Sequence, residues 1–304
     1  MLYGGLPMGR MIEFFGAEGS GKTTTTLDIV SQCQKKFKEE GQGRKVVYVD
    51  SENSLDSSWA QLLGVNLEEM ILVRPQTQTA EEIFDIMQSM VETGECGLLV
   101  LDSVATLVSQ QIYEESYEKK AYGGIAASLT MFCNKVVPLL AKYNCMCIMI
   151  NQVREDIGSM FPSLITPGGK AFKHHCSVRL SFQKGQFIDK DNKELTRGAE
   201  NPAGNLVMVS IAKTKTCKSN RRVGFYTLNY TTGIDSMNDI IDVCLANGVI
   251  VQNGSYFTII DMDPKTGEVF DMDRELKVQG RANLNKLINE DEYAREIVMR
   301  CMSI

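Results

Sequence analysis

Apolar runs separated by longer amphipathic stretches organise most of this chain. The run Lys45–Asp50 is rich in β-branched residues and shows little alternation, which is typical of a parallel strand covered on both faces. Helical stretches lie between runs of this kind, so the order of elements predicts an α/β fold with a mostly parallel central sheet. The other runs that predict its strands are Met11–Phe15, Met70–Val73, Gly97–Asp102 and Cys145–Ile150.

Strand character returns later in the chain, at Ser177–Gln183, Leu206–Lys213 and Val223–Tyr230. These three segments suit an antiparallel extension of the sheet, with a polar connector over residues 184–204. The remainder predicts a separate module of helices and a strand. We therefore predict a core domain over residues 1–233 and a small α+β C-terminal domain over residues 234–304.

A glycine-rich segment follows the first predicted strand and precedes a helix predicted over Thr24–Lys36. It fits the P-loop pattern G-x-x-x-x-G-K-[ST] in the strand–loop–helix context that the motif requires. In such a loop the backbone N–H groups face a polyphosphate, the lysine reaches the β- and γ-phosphates, and the threonine hydroxyl ligates Mg²⁺. The segment comprises Gly16, Ala17, Glu18, Gly19, Ser20, Gly21, Lys22 and Thr23.

Polar residues at three later strand ends extend this candidate site. Asp102 ends an apolar run, as a Walker-B aspartate does, and we expect it to hold Mg²⁺ together with Thr23. Glu52 follows the strand Lys45–Asp50; by position it is a general base or water-orienting group, or equally a solvated loop carboxylate. Gln152 ends another strand, where it can sense a γ-phosphate.

Composition limits the classes of partner. The chain has 304 residues and a net charge of −6, so nucleic-acid binding requires a local basic patch. Its nine scattered cysteines include no C-x-x-C pair, which favours reduced thiols and a cytoplasmic location. No apolar run approaches the roughly 18 residues of a membrane span, so no membrane partner is expected.

Three polar segments are candidates for binding. We predict a loop at Gln110–Tyr122 and a second at Val153–Gly169, since long irregular segments inside compact α/β domains are often functional. A merely solvated surface is the alternative for the first of them. Lys213–Arg222 contains five basic residues and no acid, so it is either a soluble hairpin tip or a set of cations aimed at phosphate.

Several segments together carry the pattern of one family. They are Gly4–Arg10, the P-loop, Asp50–Asp56, Leu101–Ala105, Ile150–Arg154, Ile157–Phe161, Gly168–Gly169, Ser177–Leu180 and Gln279–Asn283. In these segments, and over nearly its whole length, the chain resembles the bacterial-type RecA recombinases. The resemblance implies a P-loop NTPase fold with a RecA-like core, ATP and Mg²⁺ as cofactors, and DNA-dependent ATP hydrolysis in recombination and repair.

The resemblance also implies a role for individual residues of this chain. Lys22 would hold phosphate, Glu52 would activate the attacking water, and Gln152 would report the γ-phosphate state. Lys213 and Lys215 would reach the nucleotide of an adjacent subunit. The nucleotide would be held by Gly16–Thr23, Thr24, Asp56 and Trp59, the last stacking on adenine. DNA would be contacted by Lys119, Lys120, Lys135, Arg154, Phe161, Gly168 and Gly169.

The family implies single-stranded DNA, homologous duplex DNA and further copies in a helical filament as partners. The chain departs from the family pattern at Ser128, Glu155-Asp156 and His174. Met1 lies so close to the P-loop that we expect the family's N-terminal oligomerisation segment to be lacking, as in a divergent or phage-encoded member. Two alternatives stay open: an ATP-binding regulatory or truncated module that does not form filaments alone, and another RecA-core motor such as a hexameric helicase.

Overall fold

The chain divides into two compact units, one running from Leu6 to Ile234 and a second beginning at Asp235. The computed structural model describes residues 2, 5–114, 124–155, 164–190, 193–196, 198–217, 222–263 and 266–301. Each unit has its own hydrophobic core, as expected for parts of a chain that are compact by themselves. Within the described ranges, no helix is both long and apolar enough to cross a membrane.

A mixed sheet with helices on both faces forms the first unit. The strands of this unit are β1 (Met11–Gly16), β2 (Lys45–Asp50), β3 (Met70–Val73), β4 (Cys96–Asp102), β5 (Met146–Gln152), β6 (Arg154–Glu155), β7 (Leu164–Ile165), β8 (Val178–Ile188), β9 (Gly204–Thr214), β10 (Val223–Asn229) and β11 (Gly233–Ile234), of which β6 and β7 form a separate pair. Its helices are α1 (Lys22–Glu39), α2 (Ser57–Leu62), α3 (Ala80–Glu92), α4 (Gln110–Glu114), α5 (Ala126–Tyr143) and α6 (Gly169–His175).

Among the described residues, the larger sheet has nine strands in the order β11-β10-β9-β8-β1-β5-β4-β2-β3. The pairs from β8 through β1, β5, β4 and β2 to β3 are parallel. The pairs β8–β9, β9–β10 and β10–β11 are antiparallel. The predicted parallel sheet with an antiparallel extension is therefore confirmed.

The sheet has two hydrophobic cores, one on each face, because successive side chains of a buried strand point to opposite faces. On one face, Phe14 and Val100 pack with Val30 of α1. On the other face, Leu99 packs with helices α3, α5 and α6, where Phe172 is fully buried. Burial on both faces explains the long apolar runs in the sequence.

The second unit is a small α+β structure. Its elements are α7 (Ser236–Ala246), β12 (Ile250–Asn253), β13 (Tyr256–Ile259), β14 (Leu276–Gln279), α8 (Arg281–Glu290) and α9 (Glu292–Cys301). The three strands pair antiparallel in the order β12-β13-β14. Strands β12 and β14 were not predicted, because each has only four residues and two of those four are polar.

The structure corrects three predictions. Gln110–Tyr122 is not all loop, since Gln110–Glu114 is helical and its first backbone N–H donates to Glu81 at 2.9 Å. Val153–Gly169 contains the antiparallel pair β6–β7, and Gly169 begins α6. The connector predicted over residues 184–204 begins later, because β8 continues to Ile188 through pairing with β9. Residues 115–123 and 156–163 lie outside the described residues.

Candidate functional site

The P-loop joins the end of β1 to the start of α1, and its glycines fit close backbone packing. Gly21 precedes α1 with a φ of 93°, a conformation that costs glycine little. A Cβ on Gly16 would lie 2.2 Å from the carbonyl oxygen of Phe182. Lys22 is the first residue of α1, so the P-loop brings a helix N-terminus and a lysine together at one candidate phosphate site.

The lysine of the P-loop folds back onto the loop. Its Nζ donates to the carbonyl oxygens of Gly16 at 3.1 Å and Ala17 at 2.7 Å. Burial lowers the pKa of Lys22, and the charges of Asp102, Glu52 and Glu18 oppose that shift. A phosphate oxygen at the loop would replace these carbonyls and favour the charged lysine.

Thr23 and Asp102 meet beside the P-loop. Thr23 Oγ1 donates to Asp102 Oδ2 at 2.8 Å, and the Tyr48 hydroxyl donates to the same oxygen at 2.9 Å. Burial raises the pKa of Asp102, whereas the hydrogen bonds from Thr23 and Tyr48 lower it and the nearby Glu52 and Asp50 charges raise it. The oxygens of a hydroxyl and a buried carboxylate suit Mg²⁺, which prefers hard oxygen ligands and completes its shell with phosphate and water.

Glu52 lies two residues after the end of β2 and contacts residues at the ends of β4 and β5. Its Oε1 accepts a hydrogen bond from Ser103 Oγ at 2.5 Å and one from Gln152 Nε2 at 2.9 Å. Because β4 and β5 are adjacent in the sheet, Ser103, which follows β4, and Gln152, which ends β5, reach the same carboxylate. The structure thus brings Glu52 and Gln152 together, and the charge of Glu52 acts on Lys22.

A cleft of about 430 Å³ opens along the P-loop. Trp59 forms one part of its wall, and its Nε1 donates to Thr24 Oγ1 at 3.3 Å. Asp56 caps α2 by accepting from the backbone N–H groups of Ser58 and Trp59, which holds that tryptophan in place. The wall also includes Lys184, Leu228 and Tyr230, which come from the antiparallel extension.

Lys213 and Lys215 lie away from the lining of this cleft. Lys213 Nζ donates to the carbonyl oxygens of Lys173 and His174, and Lys215 Nζ donates to that of His174 at 2.9 Å. Burial and the nearby Lys215 charge lower the pKa of Lys213, and burial with the same lysine lowers that of His175. Crowded cations of this kind favour an anionic ligand.

A buried ion pair supports the strand that leads to the second loop. Glu13 on β1 is fully buried, and it pairs with Arg179 on β8. Asn151 Nδ2 donates to Glu13 Oε1 at 2.9 Å and to the carbonyl oxygen of Pro167 at 3.0 Å. This network ties β5, just before Gln152, to the chain that precedes α6.

The predicted DNA-contacting residues fall into two groups. Lys119, Lys120 and Phe161 lie outside the described residues. Lys135 is exposed on α5, Arg154 is exposed and donates to the carbonyl oxygen of Ala105 at 3.2 Å, and Gly168 precedes α6. Arg154 and Gly168 line one open groove with Gly124 and Ile125, and Gly169 is the first residue of α6.

Four residues of this site were missed by the sequence reasoning: Tyr48, Ser103, Lys184 and Tyr230. Tyr48 carried a usable signal, since its hydroxyl is the one polar side-chain atom between Val46 and Val49, and a buried hydroxyl requires a partner. The others depend on which strands are neighbours, which the local pattern does not specify.

The P-loop lies between a strand and a helix, and another strand places an aspartate beside the P-loop threonine. Together these features define a P-loop nucleotide-binding protein. A family model described as "RecA N-terminal domain" matches residues 1–235. The chain therefore belongs to the RecA family. That membership agrees with the resemblance found in the sequence, and it supports a function in DNA recombination and repair with use of a nucleotide.

Similar curated proteins carry the name "Protein RecA". One from Paracoccus denitrificans is 38% identical over 259 residues, which are 85% of this chain and 68% of that protein. One from Chlorobaculum tepidum is 32% identical over 296 residues, which are 97% of this chain and 77% of that protein. A crystal structure of the RadB recombinase matches with a TM-score of 0.53 and 20% identity, covering 76% of this chain and 91% of that chain, and this likeness concerns the fold.

Proposed function

We propose that this chain is a DNA-dependent ATPase that binds single-stranded DNA and promotes homologous pairing and strand exchange. The observation that carries the proposal is the convergence of two pairs at one sheet edge. Thr23 with Asp102 offers a cation site, and Glu52 with Gln152 offers a carboxylate joined to the second loop. Membership of the RecA family supplies the recombination context.

In the proposed reaction the backbone of the P-loop and Lys22 hold the phosphates of ATP. Thr23 and Asp102 would hold Mg²⁺, which supplies charge neutralisation on the β- and γ-phosphates when it is bound. Glu52 orients the attacking water and takes its proton, a role that its position near Lys22, the residue proposed to hold the phosphates, supports. Trp59 offers an aromatic face in the same cleft for the base.

Gln152 is proposed to couple the nucleotide to the second loop. Its amide already contacts Glu52, and Arg154 follows it by two residues on β6. A γ-phosphate that draws Glu52 or Gln152 toward it would shift the strand end that leads into this loop. Hydrolysis removes the γ-phosphate and with it this contact, so the affinity for DNA would depend on which nucleotide is bound.

Lys213 and Lys215 are proposed to act on the nucleotide of an adjacent copy. In this structure their ammonium groups hold backbone carbonyls at the end of α6, outside the chain's own cleft. A phosphate from a neighbour is a stronger partner for two crowded cations than a carbonyl dipole. Assembly of copies along DNA would then complete each site, as an arginine finger does in trans.

The experiment that tests the proposal measures binding of a labelled single-stranded oligonucleotide by fluorescence anisotropy. We expect at least tenfold tighter binding with a non-hydrolysable ATP analogue than with ADP, and a fall in affinity as salt is raised. A three-strand exchange assay with homologous and heterologous duplexes then tests pairing. Equal DNA affinity in both nucleotide states would contradict the proposal and favour an ATP-binding module without recombinase activity.

A further inference from the structure

Tyr48 and Asp102 lie on adjacent strands and on the same face of the sheet. In the parallel register of β2 and β4, Tyr48 is opposite Val100 and Asp50 is opposite Asp102. Residues two apart on a strand share a face, so the tyrosine and the aspartate are diagonal neighbours. A tyrosine is long enough to span this diagonal, and its hydroxyl donates to Asp102 Oδ2 at 2.9 Å.

Packing alone does not require this hydroxyl. Tyr48 is 1% exposed and belongs to an apolar cluster with Phe14 and Val100, where a phenylalanine would fill the same space. A buried hydroxyl without a partner is costly, so a tyrosine here depends on the acceptor that it reaches. That acceptor is the carboxylate that also binds Thr23.

We propose that Tyr48 is a positioning residue for the cation-binding carboxylate of Asp102. The inference rests on the proposed function of Thr23 and Asp102 as the Mg²⁺ site. A carboxylate held by one donor can rotate about its bond to Cβ, whereas donors from α1 and β2 together fix the plane of Asp102. Because Tyr48 is anchored in the core, it keeps the carboxylate oriented when the Thr23 oxygen turns to a cation.

The test is a Mg²⁺ titration of Tyr48→Phe in the full chain, with a non-hydrolysable ATP analogue present. The fluorescence of Trp59 reports binding, because it is the only tryptophan and lines the cleft. We expect the Mg²⁺ concentration at half-saturation to rise roughly tenfold, as for other residues that orient metal ligands. Affinity for the analogue at saturating Mg²⁺ should stay within about twofold, because the P-loop contacts are unchanged.

Tyr143→Phe is the matched control, since its hydroxyl contacts Lys142 at the end of α5 and not the site. A second variant tests whether Tyr48 acts through the carboxylate of Asp102. In an Asp102→Asn background, Tyr48→Phe should shift the Mg²⁺ dependence less than it does in the wild type. A far-ultraviolet circular dichroism melt of each variant shows that the titrated protein is folded.

Each outcome decides between the two proposals. If the wild type needs Mg²⁺ and Tyr48→Phe titrates like it, the inference is wrong and the proposed function stands. An equal shift in the Asp102→Asn background would also overturn it, because Tyr48 would then act through something other than that carboxylate. If the wild type binds the analogue with no dependence on Mg²⁺, the proposed cation site and the inference both fail.

Discussion

The sharpest prediction concerns Glu52→Gln, a change that preserves the size of the side chain and removes its charge. In the structure, Oε1 of Glu52 accepts hydrogen bonds from Ser103 Oγ at 2.5 Å and from Gln152 Nε2 at 2.9 Å. A glutamine keeps one oxygen that can accept both bonds, so local structure should persist. The amide cannot take a proton from water, so the proposed catalytic role alone is lost.

The magnitude follows from that role. General-base catalysis contributes about 10²- to 10⁴-fold to a rate, so DNA-stimulated ATP hydrolysis should fall at least ~100-fold in Glu52→Gln. Hydrogen bonds to charged groups are worth roughly 1.5–3 kcal/mol and neutral ones roughly 0.5–1.5 kcal/mol, so the bond from Gln152 should weaken by about 1 kcal/mol. Affinity for ATP should change by no more than about fivefold, because the P-loop contacts remain.

The assay compares steady-state phosphate release with nucleotide binding, measured by the fluorescence of Trp59. Glu68→Gln is the control, since this exposed glutamate lies outside the cleft and loses the same charge. A turnover of Glu52→Gln within tenfold of the wild type would refute the general-base role. A parallel loss of ATP binding would mean that Glu52 holds the loop structure and does not act on water.

Three further changes test other parts of the molecule. Lys213→Ala combined with Lys215→Ala should leave ATP binding by the isolated chain within twofold but lower DNA-stimulated phosphate release at least ~100-fold, since a cation supplied in trans is worth 10³–10⁵ in turnover; unchanged turnover would exclude that role. Asp239→Asn should stabilise the protein by up to about 4 kcal/mol at pH 8, the free energy that corresponds to a pKa raised from 3.8 to about 7, and by little near pH 4, as read from thermal melts. Burial, followed by the charges of Asp242 and Asp235, raises the pKa of Asp239 to about 7, so the wild type loses stability as pH rises through that value; a pH-independent difference would contradict this cause. Gly168→Ala should destabilise the fold by roughly 1–3 kcal/mol in denaturant titrations, because φ is 101° and a Cβ would lie 2.7 Å from a Leu129 methyl; an unchanged midpoint would show that the turn relaxes freely.

Local patterns were sufficient for the centre of the site. The P-loop motif fixed the placement of Lys22 and Thr23, and the apolar run ending at Asp102 predicted the partner that Thr23 reaches. Thr79 followed three residues later by Glu82 fits the capping-box pattern, and both hydrogen bonds of that box are present at the start of α3. These features depend on residues close in sequence or on a strand–loop–helix unit that is itself local.

Contacts between distant segments could not be derived in the same way. The bond from Tyr48 to Asp102 depends on β2 lying beside β4 in a particular register, which the individual strands do not specify. Lys184 and Tyr230 reach the cleft only because the antiparallel extension continues from β8 on the P-loop side. The polar pattern from Gln110 onward resembled a loop, yet Gln110–Glu114 is helical, and the backbone N–H of Gln110 donates to Glu81 on α3.

The most direct measurement is ATP hydrolysis by the full chain, with and without single-stranded DNA, over a range of protein concentrations. If Lys213 and Lys215 complete the site of a neighbouring copy, the rate per chain should be stimulated by DNA and should rise cooperatively with concentration. A rate that stays negligible, or that is independent of DNA and of concentration while Trp59 still reports ATP binding, would contradict a site assembled between copies on DNA.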